Sequence, residues 1–150
     1  GDKSGLFSAV VKPAADGLME IYLGSISEAS VCGSANTAID MGGDGTEQVL
    51  KYIYDNLDAF RLIFCNSAGT EYEDYFDRLA ETEEKFYRDF VRKYAKEPQK
   101  ISDFFIHVVC RTGWQYVFEV VSHDIPYEEA QGFMKSIREY SFAGWKRVME

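Results

Sequence analysis

A chain of 150 residues holds one domain with a sizeable core, and 15% aromatic side chains with only three prolines favour packed helices over disorder. A formal net charge of −9 makes these residues a poor ligand for nucleic-acid phosphates. The cysteines, Cys32, Cys65 and Cys110, are odd in number, far apart and in no C-x-x-C pattern, which excludes a disulfide framework and predicts reduced thiols in a cytoplasmic protein. No signal peptide or membrane span is visible.

In chain order, a first helix is expected to start at Asp2 as N-cap and to carry Leu6, Phe7, Val10, Val11, Leu18, Ile21 and Tyr22 at helical spacing. Pro13 should kink or break it. Residues 30–44 turn small and polar, with Gly33, Ser34, Asn36, Gly42 and Gly43, and predict a long loop. The run Gly42, Gly43, Asp44, Gly45 before a helix is a flexible linker or, less specifically, an anion site at a helix N-terminus. A second helix over residues 46–56 places Leu50, Ile53, Tyr54 and Leu57 on one side, and Asp58 caps a short apolar helix over residues 59–66. Gly69 fits a C-terminal cap, and Thr70, Glu71, Tyr72, Glu73 spell a capping box. The helix it opens, to about residue 94, carries Tyr72, Phe76, Leu79, Phe86 and Phe90 along one stripe.

Residues 101–122 are apolar around the whole circumference of a helix. Phe105, Val109, Tyr116 and Val120 fall on one side, Phe104, Val108, Trp114 and Phe118 on the other, with Ile106, Cys110, Val117 and Val121 between. Asp103, His107, Arg111, Gln115 and Glu119 argue against a bilayer, so the helix is a wall between two cores. Residues 126–149 form a last helix with a single stripe of Ala130, Phe133, Met134, Ile137, Tyr140, Ser141, Gly144, Trp145 and Val148. With no strand-like alternation and no repeat, the fold class is all-α, a bundle of about six helices in one domain.

The motifs of several chemistries are missing. His107 and His123 lack a Glu three residues before them, which removes a di-iron bundle. C-x-x-C-H, H-E-x-x-H, G-x-S-x-G and a phosphate-binding glycine loop are absent from the sequence. No metal, cofactor or catalytic group is expected. His107, Arg111, Gln115 and Glu119 stand at successive i, i+4 positions. They read either as the polar wall of a pocket or as a solvated seam in which Arg111 pairs with Glu119 or Glu71. The candidate pocket joins Phe104, His107, Val108, Arg111 and Gln115 to Phe60, Phe64, Tyr72 and Phe76 on neighbouring helices. His123 and Asp124 close their helix as caps.

Taken in series, several segments resemble the C-terminal region of TetR-type transcriptional regulators. They are Tyr52-Ile53-Tyr54, Asp58-Ala59-Phe60-Arg61-Leu62-Ile63, Gly69-Thr70-Glu71-Tyr72-Glu73-Asp74, then Glu119, His123-Asp124, Glu128-Glu129-Ala130 and Gly144-Trp145. The opening Asp2-Lys3-Ser4-Gly5-Leu6-Phe7-Ser8-Ala9-Val10-Val11 is similar to the segment after the recognition helix in that family. The resemblance implies a helical domain that binds a small effector and dimerises through its last two long helices. It also implies operator DNA as a partner only through an N-terminal helix-turn-helix that this chain lacks.

The homodimer interface is then expected at Val117, Val120, Val121, Met134, Ile137, Tyr140, Ser141, Gly144 and Trp145, where small Ser141 and Gly144 let a neighbouring helix approach. The expected ligand is a small, mostly apolar molecule with one polar end. The chain is a sensing and dimerisation module, not an enzyme. The alternatives are a small dimeric helical enzyme using His107 and Arg111, or a purely structural interaction domain.

Overall fold

The computed structural model describes residues 3–31 and 33–150, with only the backbone of residues 41, 42 and 44. The expected N-cap Asp2 and the thiol Cys32 lie outside the described residues. Among those described, the chain is all helical: α1 (Lys3–Ser30), α2 (Ala35–Asp55), α3 (Leu57–Cys65), α4 (Tyr75–Tyr94), α5 (Asp103–Ser122) and α6 (Tyr127–Met149), with a 3-10 turn at Pro98–Lys100. No described helix is long and apolar enough to cross a membrane.

Helix α1 runs through Pro13 unbroken for 28 residues. Val11, Ala14, Ala15 and Leu18 are all buried in the main core, so packing on both sides of the proline outweighs its missing N–H. The hydroxyls of Tyr52 and Tyr75 donate to the carbonyls of Ala14 and Ala15 at 2.9 and 2.7 Å and fasten α2 and α4 to this segment.

The loop expected over residues 30–44 is mostly helix. Ser34 is the N-cap of α2, its Oγ accepting from the Thr37 N–H at 3.1 Å, and the glycine run lies inside the helix. Helix interiors disfavour glycine by about 1 kcal/mol relative to alanine, but here close approach favours it. A Cβ on Gly45 would stand 2.0 Å from Ser25 Oγ of α1, and one on Gly43 would stand 1.9 Å from the Arg138 guanidinium of α6. The run therefore presents no helix N-terminus to an anion. Buried Ala38, Val49, Leu50 and Ile53 line the inner side of α2.

The capping box forms a turn rather than the first turn of α4. The Tyr72 N–H donates to Thr70 Oγ1 at 3.2 Å, and Glu73 Oε2 accepts from the N–H of Gly69 at 3.2 Å, with Gly69 at φ 80°. Helix α4 then begins at Tyr75. Helix α5 is capped by Ser102, whose Oγ accepts from the Phe105 N–H at 3.0 Å.

The main core lies among α1, α2, α3, α4 and α5, built from Leu18, Ile53, Phe60, Ile63, Leu79, Trp114 and Val121 among others, and Ala130 adds α6 to it. A smaller cluster of Val91, Ile106 and Cys110 joins α4 to α5. Helix α6 lies loosely on this body, with Ala130 as its buried residue. It is tied down by rings and by its end. Tyr127 meets Tyr54, Phe133 meets Tyr116, Trp145 meets Tyr87 and Phe105, and the Lys96 N–H donates to the Met149 carbonyl at 2.9 Å.

Candidate functional site: an aromatic cavity with a buried acid

The loose seating of α6 leaves a half-open cavity of about 730 Å³ between it and α1, α2, α4 and α5. Its wall is mostly rings: Tyr22 from α1, Phe86, Tyr87, Phe90 and Tyr94 from α4, Trp114 and Tyr116 from α5, Phe142 and Trp145 from α6. Small residues of α2, Ala35, Ala38, Gly43 and Gly45, make the opposite wall. Volume and lining both match the apolar, ring-lined clefts that hold small molecules. Trp145 stacks on Tyr87 with centroids 5.0 Å apart and meets Phe105 edge-on at 5.6 Å, which holds α6 over the cavity.

One acid stands in this wall. Glu83 sits on the apolar stripe of α4. Part of its surface faces the cavity, while its carboxyl lies deep among protein atoms, and burial pushes its pKa up to about 7. The Tyr22 hydroxyl and the Trp114 indole N–H lie near enough to favour the carboxylate and offset part of that effect. Neither donor completes a hydrogen bond of normal geometry, so two buried donors stand unsatisfied beside the acid. Tyr22 packs edge-on against Trp114 at 5.2 Å, which fixes both rings beside the acid.

The nine residues expected to form a pocket are not brought together in this cavity. Phe60, Phe64 and Tyr72 are buried in the main core, with Phe76 packed against it and stacked on Phe64 at 4.3 Å. Phe104 is 74% exposed and Val108 is 43% exposed. His107 and Arg111 clamp α5 to α4: His107 Nδ1 lies 2.5 Å from Glu84 Oε1, and Arg111 forms an ion pair with Asp77 Oδ1 at 2.7 Å. Glu84 is buried and also accepts from Arg88 at 3.0 Å. Gln115 turns to Glu119 on the surface at 2.9 Å. The polar stripe is thus the ion-paired seam, with Asp77 in the place expected for Glu119 or Glu71. Replacing Arg111 with alanine is expected to cost no more than about 1 kcal/mol in chemical denaturation, because the pair is half exposed.

The residues expected at a dimer interface divide three ways. Val117, Val120 and Val121 are buried within the chain's own core. Met134, Ile137, Ser141 and Trp145 line the cavity, which Val117 also reaches. Tyr140, 73% exposed, and Gly144 face outward. The physical reason is rotational. Ile106, Cys110, Trp114, Val117 and Val121 share one face of α5, and that face turns inward. The face left to solvent carries Phe104, Phe105 and Val108.

His123 caps α5 as expected: its N–H donates to the Glu119 carbonyl at 3.1 Å, and Arg61 reaches Asp124 at 2.8 Å. Cys65 and Cys110 are free thiols, the first exposed and the second buried. Among the described residues there is no group of three or more His, Cys, Asp or Glu side chains placed to hold a metal ion. Comparison with models of known families, with characterised proteins and with solved structures finds no match to this chain.

Proposed function

We propose that this chain is the effector-sensing and dimerisation module of a TetR-type transcriptional regulator, a non-enzymatic domain that binds a small, mostly apolar molecule. The observation that carries this reading is the ring-lined cavity under α6. A ligand there touches α1, whose opening residues resemble the family's connecting helix, and also touches α5 and α6, the helices through which that family dimerises. Binding would shift the position of α6 against α1 and so the spacing of two DNA-binding modules outside these residues, provided that the ligand prefers one arrangement. A thermal-shift screen of a metabolite and drug library tests this, since a ligand of the native state raises the unfolding temperature. No shift with any compound would remove the sensing role and leave a structural interaction domain.

The dimer surface proposed is the outer side of α5 and α6, where Phe104, Phe105, Val108, Phe133, Tyr140 and Val148 are exposed. Exposed apolar side chains on two neighbouring helices suit a second copy of the chain. Sedimentation at micromolar concentration is expected to give a dimer. Tyr140→Asp, which would bury an unpaired charge in that contact, is expected to give a monomer, whereas Lys93→Asp is expected to leave the dimer intact. A monomeric parent protein would overturn the dimer.

A further inference from the structure

We propose that the cavity under α6 takes a lipophilic monocation, its charge seated against the Glu83 carboxylate and its apolar body against the surrounding rings. The proposal deepens the effector reading and presupposes that this cavity is the effector site.

Three observations carry it. Glu83 has no ion-pair partner among the described residues, whereas the other acid of α4 turned into the protein, Glu84, has Arg88 and His107. A buried carboxylate without a counter-charge is costly, and a cation brought by the ligand removes that cost. The Tyr22 hydroxyl and the Trp114 indole N–H favour the carboxylate over the protonated acid, which keeps a negative charge at the cavity wall for a cation to meet. The remaining wall includes the rings of Phe86, Tyr87 and Trp114, and aromatic rings suit a lipophilic cation where their faces are open to it. A volume of about 730 Å³ accommodates several aromatic rings.

Among the described residues, the charged groups around the acid are few. Tyr22 of α1, Tyr87 of α4 and Cys110 of α5 are neutral, and all three have their pKa values raised by burial. The polar residues that α2 adds to the lining, Asn36 and Thr46, are uncharged. Helix α6 brings Arg138, Lys146 and Glu150, of which Arg138 covers Gly43 and reaches toward Asp40 at 4.0 Å. Glu83 is therefore the group near neutrality whose proton a bound cation displaces.

Tetraphenylphosphonium and tetraphenylborate have one shape and opposite charge, and neutral N-phenyl-1-naphthylamine is the uncharged probe. The chain's two tryptophans, Trp114 and Trp145, both line the cavity, so quenching of their fluorescence reads occupancy. The phosphonium is expected to bind at least about tenfold more tightly than the borate. Its affinity should rise toward about tenfold per pH unit below the Glu83 titration and level off above it, since only the carboxylate form pairs with the cation. Glu83→Gln, nearly identical in shape, should abolish both the preference and the pH dependence while keeping the neutral amine. Equal or tighter borate binding, or phosphonium binding independent of pH, overturns the cation assignment. Quenching by the amine alone overturns it too and leaves the effector cavity standing. Quenching by none of the three overturns both. If Glu83→Gln does not fold, the pH profile of the unaltered protein decides.

Discussion

Truncating Phe60 to alanine is expected to cost about 3–5 kcal/mol of stability, the range for a large ring removed from a packed core. Phe60 is fully buried on α3 and touches Tyr52 at 5.9 Å and Phe64 at 5.6 Å between ring centroids. It joins α3 to α2 and, through Phe64 and Phe76, to α4 and α5. Chemical denaturation followed by circular dichroism measures the loss. Leu6→Ala is the matched control: that side chain is 70% exposed and outside the proposed dimer surface, and its removal should change stability by less than about 0.5 kcal/mol. Similar losses from both would mean that Phe60 is not the keystone of the main core.

Glu83→Gln is expected to stabilise the ligand-free protein at about pH 8, by up to about 3 kcal/mol, and to have little effect at about pH 4. The sign comes from the raised pKa, about 7 in the folded chain against 4.5 when exposed. Between those values the native state holds a proton that the unfolded state has released, so the acid's contribution to stability falls as pH rises from 4.5 and is fully unfavourable above 7. Glutamine keeps the shape and never ionises, so the variant should lack this decline. Melting curves of both proteins across that range check it, and parallel curves would show that Glu83 titrates as an exposed acid does.

Much of the helical order was legible because it rests on local chemistry. Apolar spacing marked α3, α4, α5 and α6 to within a few residues, and Pro98 marked the end of the α4 segment. The glycine run was misleading for a reason that lies elsewhere in the chain: Ala38, Val49, Leu50 and Ile53 of the same helix are buried against the other helices, and that packing outweighs the low helix propensity of Gly43 and Gly45, whose missing side chains leave room for Arg138 and Ser25. Pro13 likewise stays helical because distant core residues hold α1 on both sides of it.

The cavity was less legible. Glu83 did leave a signal, since it falls between Leu79 and Phe86 or Tyr87 on the apolar stripe of α4, where an acid at a core position invites a reason. Tyr22 and Trp114 left none beyond their place on apolar faces.

What the sequence by itself determined is the all-α class, the helices of the C-terminal half and an α5 apolar on every side. Which side of α5 turns inward was decided only by the tertiary structure. A helix without a dominant apolar face carries no rotational preference of its own, so its orientation is set by what the other helices offer. The ion pairs of His107 with Glu84 and Arg111 with Asp77 fix one edge to α4, and Trp114, Val117 and Val121 then meet the core. That rotation carried the cavity to the α6 side of the bundle, away from the polar stripe, and left Phe104, Phe105 and Val108 facing out.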